Sequence, residues 1–265
     1  MPFFSISFLL IISSLALLYA KFPQIFPCDP FLIDSSQILA SPSFLHLAGT
    51  DALGRDLFTR LILGAQTSLM IAFWTAIIAL FIGVLIAVVA AYIGGWVDSL
   101  ILRFIDLIYS LPDLLILSII GLCFSRSSTA IVIGLACINW MEIARITRAE
   151  LLKLKKEEFI LASKLIGLSH QQIIIKHLLP NVSSLILVSL GFTLPRAILS
   201  ESTLSFIGLG LSPPNTSWGT LAGDAFQYLR TDPHLLFFPA ILIFLTSFSF
   251  NKISESFFKG PLKNT

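Results

Sequence analysis

Long stretches of this sequence carry no charged side chain, and they constrain its fold more than any other feature. The longest runs from Leu61 to Val97, with an apolar body from about Ser68 to Ile93. A helix needs about 20 apolar residues, at roughly 1.5 Å each, to cross the hydrocarbon core of a bilayer. The runs are continuous, without the alternation of a membrane β-barrel. We therefore expect an all-α membrane protein whose helices satisfy their own backbone hydrogen bonds.

Six uncharged or nearly uncharged segments predict about six transmembrane helices. They are 1–20, 68–93, 100–124, 127–141, the stretch between Lys176 and Arg196, and the stretch between Asp232 and Lys252. The first has two interpretations, a retained helix or a cleaved signal peptide. It lacks a basic start and ends in a poor cleavage site, Leu18-Tyr19-Ala20, so we expect a retained helix.

The composition agrees with a membrane location and excludes several other classes of protein. Charged residues make up 12% of the 265 residues and hydrophobic residues 56%, whereas a soluble domain has about 25% charged residues. Disordered chains combine low hydrophobicity with high charge. A net charge of +2 without a dominant basic stripe gives no indication of nucleic-acid binding. Three cysteines (Cys28, Cys123 and Cys137), two of them in apolar runs, do not form a disulfide framework.

The distribution of Lys and Arg predicts the orientation of the bundle. Most of the 17 basic residues lie in the stretch from Arg145 to Lys176, in the C-terminal tail, or at Arg103. With six spans these regions share one side, which the positive-inside rule identifies as cytoplasmic, together with both termini. The predicted parts are a first span at 1–20, an extracytoplasmic loop at 21–66, a transmembrane domain at 67–257 and a tail at 258–265. The largest cytoplasmic element is expected from about Glu142 to Lys176.

That cytoplasmic element has the pattern of two short helices joined by a glycine turn. Gly167 interrupts the helical pattern, and Ser169 and Gln172 have the spacing of a capping box. Pro180 is expected to break the backbone hydrogen-bond ladder where the chain re-enters the membrane. One apolar helical face is predicted from Ile146, Ala149, Leu152, Phe159, Ala162, Leu165 and Ile166. Two interpretations are open, an interfacial amphipathic helix or a helix that docks into a groove of a soluble partner.

Motifs of enzymes and metal proteins are missing from the sequence. It has no P-loop, H-E-x-x-H, C-x-x-C or G-x-S-x-G pattern, and its four histidines are scattered, so we expect no catalytic, metal or cofactor site. Asp106 and Asp113 could suggest an intramembrane aspartyl protease. Seven residues on one helix place them about 10 Å apart, which is too far for two carboxylates to share a proton.

Three other charged residues lie in or beside the predicted spans. Arg103 and Asp106 are three residues apart and can pair on a helix, either as a functional site or as a structural pair at the interface. We expect the structural pair, because Arg103 lies only a few residues past Asp98. Glu201 follows the fifth span, where it either caps a re-entrant helix or lines a substrate route.

Several motifs resemble one family in their order along the chain. The run Ala162-Ser163, Gly167 and Leu179-Pro180 resembles the "EAA…G…LP" loop of ABC importer permeases. The other motifs resemble the second permease of oligopeptide, dipeptide and nickel importers. They are GTDALGRD from Gly49, GGWVD from Gly94, Arg103-x-x-Asp106 with Leu111-Pro112, and LSFIGLG from Leu204 with Pro213-Pro214 and Ser217-Trp-Gly219. The resemblance extends from about His46 to Phe257.

The resemblance implies a subunit of the bacterial cytoplasmic membrane that has no ATP site of its own. A second permease completes the translocation path within the lipid bilayer, cytosolic ATPase subunits bind the coupling loop at about 146–180, and an external binding protein delivers solute. The loop residues carried over by position are Ala162, Ser163, Gly167 and Pro180. The resemblance also implies a polar tail before the first span, whereas here the apolar run starts at Phe3.

Leu161 replaces the glutamate of the motif and Ser163 its second alanine. We therefore expect coupling to depend more on apolar packing and on Gly167. The scarcity of His, Cys and Met at a plausible pore favours a peptide cargo. Nickel or another small solute is the alternative within the family, and an intramembrane enzyme or an assembly scaffold is the alternative outside it.

Overall fold

The computed structural model describes residues 2–26, 28–123 and 126–259, and the regular elements in these ranges are helices. They are α1 (Pro2–Lys21), α2 (Leu57–Ile93), α3 (Gly95–Tyr109), α4 (Asp113–Cys123), α5 (Ser128–Leu154), α6 (Glu158–Leu165), α7 (His170–Ile173), α8 (Leu179–Phe206), α9 (Trp218–Phe226) and α10 (His234–Lys259). A short 3₁₀ turn at Pro23–Ile25 follows α1, and a π turn at Ile174–Leu178 joins α7 to α8. The all-α prediction is confirmed. From position 260 onward the predicted tail lies outside the described residues.

Five helices in the described ranges are long and apolar enough to cross a membrane, and a bent pair raises the number to six. The five are α1, α2, α5, the continuous helix His170–Phe206, and α10. The bent pair is α3 with α4, which meet at 85°. Pro112 lies at this bend, where it removes a backbone donor and disfavours helical geometry at Leu111. The prediction of about six spans is therefore confirmed, and its third span is a broken one.

Several helices are longer than the spans predicted from charge. Helix α2 begins at Leu57, inside the predicted 21–66 loop, and has 37 residues. At 1.5 Å per residue it measures about 55 Å, well beyond the roughly 30 Å hydrocarbon core. Helix α5 continues to Leu154, so Glu142, the predicted start of the cytoplasmic element, lies in the middle of a helix. A charged residue therefore marks the end of an uncharged apolar stretch, whereas the helix itself can extend beyond it.

Helix α2 is the centre of the bundle. It packs along α5 and also contacts α1, α3, α8 and α9. Gly83 makes the approach to α5 possible, because a Cβ at this position would lie 2.7 Å from the carbonyl oxygen of Trp140. Small residues let helices approach closely in membranes, where no difference in hydrophobicity drives their association. The outer surface carries exposed large apolar side chains such as Phe81 and Phe237, as expected for contact with lipid.

Candidate functional site

The 155–180 segment joins α5 to α8 at one end of the bundle. After α6, Gly167 adopts a φ of +87°, which L side chains rarely adopt. Helix α7 then starts with the predicted capping box, in which the Ser169 N–H donates to Oε1 of Gln172 at 2.9 Å and the Gln172 N–H donates to the Ser169 hydroxyl at 3.3 Å. The glycine turn and the cap are thus present as predicted.

The residues of the EAA-like motif differ in their surroundings. Ala162 is exposed on α6, whereas Ser163 is buried and its hydroxyl donates to the carbonyl of Phe159 at 2.7 Å. Gly167 is exposed, and a Cβ built there meets nothing within 4 Å. Next to it, Leu165 and Ile166 are 89% and 80% exposed. The tip of the segment therefore presents apolar side chains without an intrachain partner in the part of the chain that the structure describes.

The predicted apolar face of this segment is not the buried face. Phe159, Ala162, Leu165 and Ile166 are exposed, whereas Leu151 and Ile160 are buried. A core at this end of the bundle consists of Ala87, Ala91, Leu151, Ile160, Ile173, Leu178 and Val182. The prediction was wrong because it assumed one helical phase, and the chain leaves the helix between Leu154 and Glu158.

The helix continues through Pro180, where the missing N–H interrupts the backbone hydrogen-bond ladder as expected from the sequence. It lies exposed in the first turn of α8, directly after the π turn. The N–H of Leu179 bonds to the carbonyl of Ile174, five residues back, and the Asn181 amide donates to the carbonyl of His177 at 2.6 Å. The wider turn lets the helix continue although proline has no N–H to donate.

The segment is attached to the C-terminal end of α2 by three polar side chains. The Tyr92 hydroxyl hydrogen-bonds to Nδ1 of His170. Lys155 donates to the carbonyls of Ala91 and Tyr92, at 2.9 Å each, and lies 5.4 Å from the centre of the Tyr92 ring. A lysine at this position satisfies carbonyls that the helix end leaves unpaired. Sequence reasoning missed this contact because the partners lie more than sixty positions apart.

The predicted pair of Arg103 with Asp106 does not form. Asp106 accepts a 2.5 Å hydrogen bond from Arg145 of α5, and the Arg145 guanidinium lies 5.1 Å from the centre of the Tyr109 ring. Arg103 is exposed. The prediction considered only partners on one helix, and the nearer guanidinium belongs to another. A second cross-helix pair, Arg148 with Asp98, ties α3 to α5 through two hydrogen bonds.

Glu201 is fully buried inside α8, which continues past it. Its carboxylate accepts from the hydroxyls of Ser205 at 2.7 Å and Ser68 at 3.3 Å. The Ser68 oxygen in turn accepts from the backbone N–H of Trp218, the first residue of α9, at 3.2 Å. The polar network thus joins α2, α8 and the start of α9. The neighbouring cavity, of about 720 Å³, is lined by Ser205 and not by Glu201.

A second polar arrangement lies on an open face of the membrane-spanning helices. Glu142 of α5 forms an ion pair with Arg196 of α8, and Nη2 of Arg196 donates to Oε1 of Glu142 at 3.3 Å. A cavity of about 690 Å³ lies against this pair, between α5, α8 and α10. In the sequence, Arg196 only marked the end of the fifth span, and Glu142 the start of the cytoplasmic element. The signal that the sequence offered for this ion pair was that each residue is a single charge near the boundary of a predicted span.

The loop between α1 and α2, at the opposite end of α2, gathers three potential metal ligands. One ligand atom from each of Cys28, His46 and Asp56 lies within 4.8 Å of the others. Nδ1 of His46 is 2.9 Å from Asp56, whose other oxygen caps α2 by accepting from the N–H of Thr59 at 2.8 Å. The Asp56 carboxylate thus already caps α2, and this role explains its position without a metal ion.

The chain belongs to the family of binding-protein-dependent transport system inner membrane components, whose model matches residues 79–259. It is therefore a permease, the multi-pass membrane component of an ABC transporter and not an enzyme. It is 37% identical to the oligopeptide transport system permease protein OppC of Bacillus subtilis, over 81% of this chain and 70% of the relative. The dipeptide permease DppC of the same organism is 40% identical, over 85% and 73%.

Solved structures share the fold. The methionine ABC transporter MetNI, in an inward-facing conformation, matches with a TM-score of 0.59 and 19% identity, over 76% of this chain and 97% of that one. An amino acid ABC transporter with histidines matches with a TM-score of 0.56 and 19% identity, over 76% and 92%. At this identity the likeness shows the fold alone.

Proposed function

We propose that this chain is one permease of an ATP-driven importer that carries di- or oligopeptides across the bacterial cytoplasmic membrane. The observation that carries the proposal is its 35–40% identity to oligopeptide and dipeptide permeases from two bacteria, Bacillus subtilis and Haemophilus influenzae. The likeness covers most of the chain, including the 155–180 segment. A second homologous permease completes the path, an external binding protein delivers the peptide, and separate subunits hydrolyse ATP.

The 155–180 segment is the part that docks onto the ATPase. Leu165 and Ile166 protrude beside an open glycine turn, and exposed apolar side chains of a short helix suit a groove on a partner. Ala162 and Gly167 lie at this surface, Ser163 is buried, and Pro180 begins the return into the membrane. With leucine at position 161, the contact is apolar where the motif would supply a carboxylate.

Orientation follows from the basic residues of the same segment. Lys153, Lys155, Lys156, Lys164 and Lys176 lie on it or at its border, so we place this end of the bundle in the cytoplasm. Both termini then lie on that side, and the loop between α1 and α2 faces outward. ATP binding moves the segment, and the bundle alternates between outward and inward access.

Co-purification with the ATPase tests the docking surface. Leu165→Asp should abolish capture of the P-loop ATPase by the tagged permease, because it puts a charge into an apolar contact. Leu45→Asp is the matched control, since Leu45 is also an exposed leucine but lies on the opposite loop. Equal capture by both variants would contradict the docking surface.

Uptake in a knockout strain tests the cargo. We expect the wild-type permease to restore uptake of labelled di- and oligopeptides and not of nickel. Restoration of nickel uptake alone would replace the proposed cargo with the metal. Failure to restore transport of any solute, in a membrane that contains the protein, would overturn the transporter function.

A further inference from the structure

The ion pair of Glu142 with Arg196 joins two helices that are long and apolar enough to span a membrane. Arg196 is about ten residues before the end of α8 at Phe206, or roughly 15 Å along the helix axis. Glu142 is about twelve residues before the end of α5 at Leu154, or roughly 18 Å. Both charges therefore lie inside candidate membrane spans and not at the ends of their helices.

Both side chains are open on the surface of this chain, with 54% of Arg196 and 41% of Glu142 exposed. Charges within spanning helices almost always face a bundle interior or a water-filled cavity, because contact with lipid tails costs several kcal/mol. The interior of this chain does not enclose them. The face that carries them must therefore turn away from lipid, towards a space that water or a charged ligand can enter.

That face is concave. The cavity of about 690 Å³ has mainly apolar walls, including Ile146, Val188 and Phe192, with the ion pair at its edge. Apolar walls with a few convergent polar groups, in a volume of about 300–1,000 Å³, are typical of a small-ligand site. An adjoining cavity of about 180 Å³ shares Arg196 and is also lined by Asn139.

We propose that Glu142 and Arg196 bind the two charged termini of a peptide during its passage. The Glu142 carboxylate accepts from the terminal ammonium, and the Arg196 guanidinium donates to the terminal carboxylate. The pair separates to admit the peptide, so each charge exchanges one partner of opposite sign for another. The empty site then never leaves an unpaired charge within the spanning helices, which would be costly. This assignment rests on the proposed peptide cargo.

Peptides with blocked termini test the proposal. Uptake of a free dipeptide, its N-acetyl form and its C-terminal amide is compared between the wild type and variants that share one binding protein. Any change in the ratio of uptake rates then comes from the permease. For Arg196→Gln we expect about a tenfold or larger loss of preference for the free dipeptide over the amide, the value of one charge-assisted hydrogen bond. Glu142→Gln should lose the preference for the free dipeptide over its N-acetyl form.

Glu150→Gln is the matched control. Glu150 also forms an exposed ion pair on α5, with Lys153 at 2.9 Å, but lies towards the helix end, so its preferences should equal those of the wild type. If the wild type imports peptides and Arg196→Gln keeps the wild-type preference, the inference is overturned. If either variant loses its partner permease on purification, this face is an interface and the inference is also overturned. A wild type that imports no peptide contradicts the proposed function itself.

Discussion

The hydroxyl of Tyr92, at the end of α2, hydrogen-bonds to Nδ1 of His170, the first residue of α7, and the two rings meet edge to face with centroids 5.3 Å apart. This contact joins the proposed docking segment to the central helix of the bundle. About three turns inside the opposite end of α2, Ser68 joins the network of Glu201 and α9. Helix α2 thus contacts the segment near one end and the Glu201 network in its other half.

Removal of the Tyr92 hydroxyl should weaken coupling more than stability. Tyr92→Phe keeps the ring contact and loses one hydrogen bond, worth about 0.5–1.5 kcal/mol net, so the protein should still reach the membrane. We expect a several-fold fall in the number of peptides transported per ATP hydrolysed in proteoliposomes. Tyr19→Phe, in the edge-to-face contact with Phe26, should leave this ratio unchanged. A normal ratio in Tyr92→Phe would mean that this contact is not on the coupling route.

A bulky charge at the glycine turn should abolish uptake. Gly167→Glu strains a backbone of positive φ by about 1–2 kcal/mol and puts a charge into the apolar docking surface. Gly208→Glu is the matched control, because Gly208 also has positive φ, +80°, and open space around its Cβ, but follows the other end of α8. Immunoblots of membranes and uptake assays should show both proteins present and only Gly167→Glu inactive. Normal uptake in Gly167→Glu would refute docking through this turn.

Two buried hydroxyls on α2 should respond in opposite ways to their removal. Ser68 donates to Glu201 and accepts from the Trp218 N–H, so Ser68→Ala should lower the free energy of unfolding by about 1 kcal/mol or more, since it leaves buried groups unpaired. The hydroxyl of Thr75, seven positions on, is buried without a hydrogen-bond partner among the described residues. Thr75→Val should leave the stability unchanged or raise it. Thermal melts in detergent measure both, and equal effects would argue against the Ser68 network.

Labelling with a membrane-impermeant maleimide tests the orientation. In a background without native cysteines, Phe44→Cys on the loop between α1 and α2 should react in intact spheroplasts. Leu165→Cys should react only after the membrane is permeabilised. Both side chains are highly exposed, so access and not burial decides the outcome. The reverse pattern would place both termini outside.

Native Cys28 should react slowly and with a distinctive pH dependence. Burial, and secondarily the charge of Asp56, raise the pKa of its thiol, and only the thiolate is the nucleophile. A raised pKa means less thiolate at a given pH. The labelling rate in a Cys123→Ala, Cys137→Ala variant should therefore keep rising with pH where an exposed cysteine has already levelled off. Levelling at the pH of free cysteine would contradict this environment.

Local patterns in the sequence determined the architecture. Uncharged apolar runs predict spans because each spanning helix must itself present an apolar surface and pair its own backbone groups. Gly167 with Ser169 and Gln172 predicts a turn and a helix cap within six positions. The order of the motifs indicated the permease family, and the match of the family model to residues 79–259 confirms it. None of these inferences requires knowledge of which helices are neighbours.

The tertiary structure decided which charged and polar residues meet. Asp106 pairs with Arg145 and not with Arg103, Glu142 reaches Arg196 across 54 positions, and Glu201 reaches Ser68 across 133. A carboxylate binds the nearest suitable donor in space, and helix packing brings that donor from a distant part of the chain. The continuation of the helix through Pro180 likewise depends on a π turn that short-range rules did not anticipate. The sequence by itself thus specified a helical permease, and only the packing of its helices assigned partners to the charges within it.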